Sequence, residues 1–405
     1  MAHTRLDVVL LFSARTVRLF AYGALSVVLA LYLHELGLTG PEIGLLFTFT
    51  LAGDAGISLW ITTTADHAYS RGRKKMLILG AGLMIMAGVV FSLTGNLALL
   101  IIAAVIGVIS PSGNEIGPFL SLEQAALSQL LSSEQRTRAF AWYNLTGSLA
   151  AASGALAGGF LSKGLMNAGV SELTSYKAVI IGYAAFGFVL AGLFFFLSPE
   201  IEAAELVPSQ KRVLGLHKSK NVVFKLSGLF ALDAFAGGFV IQSMVAYWFH
   251  IRFGVDAGGL GSIFFGANIL AGISSLLAAK IASRIGLINT MVFTHIPSNV
   301  LLCLVPLMPN LSLAVFVLLL RFSISQMDVP TRQSYTMAVV APDERSAASG
   351  VTSIARSVGA AISPALSGVF LASTVLLSLP FFVAGGLKIV YDLLLYRSFQ
   401  KSDMR

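Results

Sequence analysis

Charged side chains inside long apolar runs are the residues of this sequence most able to do chemistry. Arg15 and Arg18 lie three residues apart in the first apolar run, and Tyr22 follows four residues later. Residues at these spacings share one face of a helix. A charge in apolar surroundings is costly to bury unless an opposite charge meets it. These residues therefore predict either a site for a charged solute or a proton, or a buried ion pair.

More polar side chains interrupt the later apolar runs. One group, spaced four, three and four residues apart, forms a continuous polar helix face. Its members are Arg321, Ser325, Asp328 and Arg332. The other positions are Asp54, Glu115, Glu123, Asp233, Gln242 and Arg356.

The composition predicts a membrane protein. Of 405 residues, 56% are hydrophobic and 11% are charged, against about 25% charged in typical soluble domains. About 20 apolar residues cross a bilayer as a helix, and runs of that length recur along the whole chain. The single cysteine, Cys303, excludes a disulfide framework. The net charge of +8 comes from short segments beside apolar runs, which indicates membrane orientation rather than nucleic-acid binding.

Hydropathy predicts an all-α integral membrane protein with twelve transmembrane helices. The spans are about 6–33, 42–64, 75–95, 97–130, 138–163, 176–198, 222–249, 258–282, 287–308, 311–339, 346–371 and 375–397. Basic residues concentrate in the segments on one side, whereas Lys163, Lys177 and Arg252 lie on the other. The positive-inside rule then predicts a multi-pass protein of the plasma membrane, or the inner membrane of a bacterium, with both termini in the cytoplasm.

An internal repeat divides the spans into two pseudo-symmetric six-helix bundles. Gly37 and Gly44 recur 217 residues later as Gly254 and Gly261, and Glu123 aligns with Arg332 at a second offset of 209. We expect a first bundle over 1–198, a cytoplasmic linker over 199–221 and a second bundle over 222–405. Two such repeats are typical of secondary transporters, whose solute site lies between the repeats.

Two segments resemble signatures of the major facilitator superfamily. The stretch from Ala65 to Lys75 is similar to the family's G-x-L-A-D-R-x-G-R-R/K loop, with Thr62 in place of the first Gly and three extra residues between Asp66 and Gly72. The segment 154–159 looks like the G-P-x-x-G-G motif of the family's antiporters, with Ala155 in place of Pro, and its repeat copy retains Pro364. The resemblance implies a loop that latches the halves and a helix that kinks. Close packing of small residues is the favoured explanation of the glycines.

The resemblance also implies that spans 1, 4, 7 and 10 line a central cavity. The predicted solute-binding residues are Arg15, Arg18, Tyr22, Glu115, Asp233, Gln242 and Arg321. The predicted proton-coupling residues are Asp54, Glu115 and Asp233. The predicted gating residues are Asp66, Arg71, Gly72, Arg73, Glu123, Gly154, Gly158, Gly159, Asp328, Arg332, Arg356 and Pro364.

Structural pairing is the alternative for these charges. Arg15 or Arg18 would then bind Glu115, and Arg321 or Arg332 would bind Asp328 or Asp233. Lys388 and Asp392 in span 12 are expected to pair with each other at i,i+4 spacing. His295 lies in span 9, which is peripheral in the resembled family, so a structural role is favoured for it.

The sequence thus predicts a secondary transporter that moves a small organic solute with an anionic group by alternating access. Coupling to protons is expected, and the antiporter-like segment favours export. A multidrug exporter of lipophilic cations and an uncoupled facilitator are the alternatives. No enzyme motif, nucleotide-binding loop or metal-ligand spacing is present, so we expect no enzymatic activity, cofactor or metal. The expected partners are the solute, protons and the lipid bilayer, without nucleic acid, and the expected state is a monomer.

Overall fold

A computed structural model describes residues 2–67, 72–113, 119–202, 216–341 and 344–399. Across these ranges the regular structure is helical, without strands. Glu115, Arg71 and the middle of the predicted linker lie outside the described residues, as does the side chain of Asp66.

The helices follow the predicted spans closely. They are α1 (Ala2–Glu35), α2 (Gly40–His67), α3 (Gly72–Leu93), α4 (Leu97–Ile106), α5 (Phe119–Leu130), α6 (Ser133–Asn167), α7 (Glu172–Phe195), α8 (Lys220–Gly238), α9 (Gln242–Phe253), α10 (Ala257–Ile285), α11 (Leu287–Leu304), α12 (Leu311–Phe322), α13 (Asp328–Val339), α14 (Arg345–Leu371) and α15 (Leu379–Phe399). Short 3₁₀ turns occupy Pro199–Ile201 and Val305–Leu307.

Most of these helices are long and apolar enough to cross a bilayer. Nine segments of the described chain meet that requirement by length and composition, with α8 and α9 counting as one segment, and α4 and α12 are shorter apolar helices. Together with α2 these account for the twelve predicted spans. The protein is therefore an all-α integral membrane protein.

Spans 4, 7 and 10 are each broken in two, whereas the sequence predicted continuous helices there. Span 4 leaves the helix after Ile106, where Pro111 and Gly113 follow, and Gly113 has a φ of +67° that favours glycine. Span 10 restarts at Asp328, and Pro330 sits in the first turn of α13, where its missing N–H has no intrahelical partner to lose. In span 7, Ser367 donates to the Phe239 carbonyl at 2.8 Å, which satisfies a group that the break exposes.

The internal repeat is visible in the helix boundaries. Helix α10 begins 217 residues after α2 does, and α13 begins and ends 209 residues after α5 does. Both offsets are those read from the sequence. The second segments of spans 4 and 10 are thus equivalent twelve-residue helices.

The chain forms two compact units. The first contains Met1–Ser209 and Val245–Phe265. In it α1 packs directly on α6, and a Cβ on Gly154 would meet the Phe20 carbonyl oxygen of α1.

The second unit contains Gln210–Met244 and Gly266–Arg405. In it α8 packs on α14, and a Cβ on Gly359 would meet the backbone of Ala231. The division into bundles at residues 199–221 stays a prediction.

Candidate functional site

Arg18 of α1 forms a buried ion pair with Glu123 of α5. The guanidinium binds the carboxylate with both branches, at 2.6 and 2.7 Å, and both side chains are fully buried. The Tyr143 hydroxyl of α6 donates to the same carboxylate. Such a bidentate pair is the strong form of a charge-assisted hydrogen bond. Arg18 thus fastens α1 to the second segment of span 4.

Arg15 lies one turn before Arg18 and faces α6. Its guanidinium donates to the Asn144 amide oxygen at 3.4 Å and lies 4.2 Å from the centre of the Tyr143 ring. Gly147 makes room for it, since a Cβ there would lie 2.6 Å from Arg15 Nε. Arg15 is buried in this packing.

Tyr22 completes the predicted face of α1, and it too is buried. Its ring stacks on Tyr183 of α7, with 6.3 Å between the centroids. Asp54 of α2 is half-buried.

An open, shallow depression of about 600 Å³ lies along a different face of α1. Its lining is largely apolar, with two hydroxyl groups, and comes from Val8, Val9, Phe12, Ser13, Thr16 and Val17. Arg15 and Arg18 are not among these residues because they occupy the face of α1 that packs on α5 and α6. The predicted role of Arg15, Arg18 and Tyr22 in solute binding therefore stays a prediction.

Asp233 of α8 lies at the centre of a buried charge network in the second unit. Lys388 Nζ is 2.5 Å from its Oδ1, and one guanidinium nitrogen each of Arg332 and Arg356 is 3.2 Å from its Oδ2. Asp328 holds Arg332 from the other side at 2.8 Å. The side chain of Arg356 is 35% exposed, whereas that of Asp233 is 4% exposed. Arg356 is therefore the most exposed side chain of the network.

The two halves of the repeat carry equivalent ion pairs of opposite polarity. In the first half α1 supplies the cation and residue five of α5 supplies the anion, Glu123. In the second half α8 supplies the anion, Asp233, and residue five of α13 supplies the cation, Arg332. The sequence predicted the alignment of Glu123 with Arg332, and the structure shows the ion pair that each of them forms.

Lys388 and His295 also belong to the charge network around Asp233. Their membership was not predicted from the sequence. Lys388 was expected to pair with Asp392 one turn along α15, but its ammonium donates to Asp233 instead. Asp392 accepts from His295 Nδ1 at 2.9 Å and from the Asn299 amide at 3.2 Å. The helical spacing of Lys388 and Asp392 could not reveal partners that lie on α8 and α11.

Arg321 lies at the end of α12, where span 10 breaks. Its guanidinium lies 5.0 Å from the centre of the Phe322 ring. Among the described residues, its buried Nε has no hydrogen-bond partner, and neither does the buried hydroxyl of Ser325 one turn later. Gln242, which opens α9, accepts from the Asn268 amide at 3.4 Å.

The network and Arg321 together carry an excess of positive charge. The cations are Arg321, Arg332, Arg356 and Lys388, and the carboxylates are Asp233, Asp328 and Asp392. With His295 neutral, one fixed cation therefore has no fixed counter-charge among the described residues of this region. A buried charge without a partner is costly, so the region favours an added anion.

Helix starts near the gating segments are capped by carboxylates. Glu202 accepts from the backbone N–H groups of Arg73 at 2.9 Å and Lys74 at 3.3 Å, just after Gly72 opens α3. The Arg73 guanidinium donates to the Gln129 side chain and the Ile201 carbonyl. Arg73 thus ties α3 to α5 and the turn after α7.

Glu344 performs the same capping for α8. Its fully buried carboxylate accepts from the backbone N–H groups of His217, Lys218 and Ser219, at 2.7, 2.7 and 2.8 Å. Burial alone raises the pKa of this carboxyl, but the three backbone donors outweigh it and lower the pKa to about 2.

The glycines of the antiporter-like segment lie at close helix contacts. A Cβ on Gly158 would lie 2.8 Å from the Ala24 backbone of α1, and one on Gly159 would lie 2.9 Å from Gly261 Cα of α10. Pro364 lies inside α14, near the close approach of Gly238 to that helix. Close packing accounts for these residues, and their predicted gating role stays a prediction.

Comparison with known proteins identifies the family. The family model described as Major Facilitator Superfamily matches residues 11–364. A protein of Saccharomyces cerevisiae described as "uncharacterized membrane protein YJR124C" is 30% identical over 430 residues, covering 98% of this chain and 95% of the yeast protein. The chain belongs to the Major Facilitator Superfamily and is a membrane transporter.

Solved structures share its fold. A bacterial homolog of the human lysosomal transporter Spinster, in an inward-facing and occupied conformation, is similar with a TM-score of 0.76 at 15% identity, covering 100% of this chain and 99% of that one. The nucleoside transporter NupG gives 0.74 at 13% identity, over 97% and 99% of the two chains. The human organic anion transporter MFSD10 gives 0.62 at 16% identity, also over 97% and 99%. At these identities the likeness concerns the fold alone.

Proposed function

We propose that this transporter moves a small organic anion across the plasma membrane together with a proton, by alternating access between its two repeats. The excess cation around Arg321 is the observation that carries the proposal. A solute with one carboxylate or phosphate group supplies the missing charge, and Ser325 offers a hydroxyl donor one turn away. The protein acts as a monomer with both termini in the cytoplasm.

Coupling to a proton follows from the sign of the charges. A proton and an anion attract each other, so binding of one in a buried site favours binding of the other. Groups that bind together are carried together, which favours movement in the same direction. The antiporter-like segment predicted export, but helix packing explains its glycines. We therefore base the direction of the solute relative to the proton on the charges of the site.

Export of lipophilic cations is the second candidate, and the second unit disfavours it. A cation needs a carboxylate that is free to receive it, as Asp233 was predicted to be. Asp233 already has three cationic partners within 3.2 Å. A further positive charge there would add repulsion rather than remove it.

Thermal stability of the purified protein in detergent tests the proposal. The probes are benzoate, lactate and glycerol 3-phosphate as anions, tetraphenylphosphonium as a lipophilic cation, and a neutral sugar. A ligand at one hundred times its dissociation constant stabilises the folded protein by about 2.7 kcal/mol. We expect at least one anion to raise the melting temperature of the wild type and to lose that effect in Arg321→Gln.

Arg252→Gln is the matched control, because Arg252 is an exposed arginine at the end of α9. It should retain the full response to the anion. Stabilisation by tetraphenylphosphonium alone, unchanged in Arg321→Gln, would support the cation exporter instead.

A further inference from the structure

His295 lies between two buried carboxylates on different helices. Its Nδ1 is 2.9 Å from Asp392 Oδ1 of α15, and its Nε2 is 4.0 Å from Asp233 Oδ1 of α8. The imidazole is 5% exposed. Each ring nitrogen therefore has a carboxylate oxygen near it, Asp392 at hydrogen-bond distance and Asp233 at a longer, ion-pair distance, so a second proton on the ring would be stabilised by the charge of Asp233.

Asp392 differs from the other carboxylates of the network in its partners. Asp233 is held by Arg332, Arg356 and Lys388, and Asp328 is held by Arg332. Arginine and lysine keep their protons at ordinary pH. Among the described residues, Asp392 bonds to His295 and to the neutral amide of Asn299. Histidine is the side chain that gains and loses a proton near neutrality.

Charged or titratable groups surround His295 on several helices, including α12, which packs on α11 and carries Arg321. Asp233 comes from α8, Asp328 and Arg332 from α13, and Arg356 from α14. Helix α15 supplies Lys388, Asp392 and Tyr391, whose ring lies 6.1 Å from the imidazole centre. Apart from Arg321, the fixed groups balance, with three cations and three anions, and a proton on His295 or Asp392 changes the charge of this cluster.

We propose that His295 and Asp392 together form the site that binds the transported proton. The inference rests on the proposed function for the identity of the co-transported solute, but the proton site itself can be tested without a solute. A hydronium ion on one side gives up the proton by breaking one O–H bond, and an N–H bond forms on the imidazole. That N–H bond breaks when a water molecule on the opposite side accepts the proton.

Asp233 links this proton site to the solute. An anion held at Arg321 that also engages the partly exposed side chain of Arg356 would draw one cation away from Asp233. The carboxylate then has less positive charge around it and attracts a protonated His295 more strongly across the 4.0 Å gap. Solute binding and proton binding thus reinforce each other through a single side chain.

Nuclear magnetic resonance of the full-length protein, labelled with ¹⁵N at its six histidines, tests the site directly. The His295 signals are assigned by their loss in His295→Gln, and the titration itself is recorded on the wild type between pH 5 and pH 9. We expect His295 to pass from neutral imidazole to imidazolium within that range. Its midpoint should move by at least about one pH unit in Asp392→Asn.

Controls separate the site from general effects. His250 lies in the first unit and bonds to the Val255 carbonyl at 3.0 Å, so its titration should be the same in wild type and Asp392→Asn. A His295 that stays neutral, or stays charged, throughout the range overturns the inference. An unchanged midpoint in Asp392→Asn also overturns it.

The failure of this inference can be told apart from failure of the proposed function. The stabilising effect of benzoate, lactate and glycerol 3-phosphate is measured at pH 5.5 and pH 8 on wild type. If His295 does not titrate and an anion stabilises the protein equally at both pH values, the proton site is excluded and anion binding stands. If His295 titrates and no anion stabilises the protein, the proton site is supported and the solute assignment is contradicted.

Discussion

Two buried ion-pair arrangements of this chain differ in kind. In the first unit Arg18 and Glu123 form one bidentate pair in which each charge is matched by the other. In the second unit Asp233 is shared among three cations, of which Arg356 is the most exposed. A closed pair suits a structural role, whereas a shared carboxylate can exchange partners when a solute or proton arrives.

Breaking the closed pair should be costly. Arg18→Met or Glu123→Leu leaves a buried charge without a partner, and we expect each to lower the free energy of unfolding by about 3–5 kcal/mol. The double variant Arg18→Met/Glu123→Leu removes both charges and should be close to wild type. Thermal unfolding in detergent measures the three variants, and a double variant as unstable as the singles would contradict a self-contained pair.

Glu344 gives a pH-dependent stability. Its folded-state pKa of about 2 lies below the ordinary value of 4.5, so the carboxylate stabilises the folded protein above pH 4.5, and the effect fades as the pH falls towards 2. We expect Glu344→Gln to lower the melting temperature by a few degrees at pH 7, with a gap to wild type that narrows below pH 4.5. Glu172→Gln, which alters an exposed carboxylate, is the control. A gap that is constant from pH 7 to pH 3 would exclude the capping role.

At the scale of helices, spans 4, 7 and 10 are interrupted by breaks. A continuous helix pairs its backbone polar groups internally, whereas a break leaves some of them available to other partners. Non-helical backbone at membrane depth is tolerated where it is buried in protein or lines a water-filled cavity. The break after α12 lies between Arg321, at the end of that helix, and Ser325, four residues later. The segment between α4 and α5 in span 4 holds Glu115, outside the described residues.

The contact between α1 and α6 depends on small residues. Gly154→Ala places a methyl group against the Phe20 carbonyl, so the helices must separate. We expect a loss of about 1–3 kcal/mol in the free energy of unfolding. Gly164→Ala, in the same helix with nothing within 4 Å of the added methyl group, should be neutral or slightly stabilising. Equal effects of the two changes would rule out close packing as the reason for Gly154.

The sequence predicted most of the elements and some of the partners. The helices of the described chain follow the hydropathy spans apart from the breaks in spans 4, 7 and 10, and the repeat offsets predicted the equivalence of α5 with α13. The expected pairing of Arg332 with Asp328 or Asp233 is confirmed. Helical spacing gave the wrong partner for Lys388, because a contact between helices depends on their rotation and approach. For the same reason the ring of His295 could not be placed between Asp233 and Asp392.

At the scale of the whole molecule, the repeat explains why one family fold can carry different solutes. The two halves share the position of an ion pair but reverse its sign. The repeat therefore keeps the helices equivalent in the two halves, whereas the charged residues on those helices differ. Fold does not decide the solute, whereas the charges placed on it can. The excess cation of the second unit is such a charge.

Proton flux coupled to an organic anion tests the central claim most directly. Purified protein is reconstituted in proteoliposomes that contain a pH-sensitive dye, and benzoate, lactate or glycerol 3-phosphate is added outside. We expect at least one anion to acidify the lumen with wild type and with Arg252→Gln, and the response to fall at least tenfold with Arg321→Gln. The claim would be contradicted if no anion changed the pH of the lumen while tetraphenylphosphonium moved against the pH gradient. In that case Arg321→Gln would leave the transport of tetraphenylphosphonium unchanged.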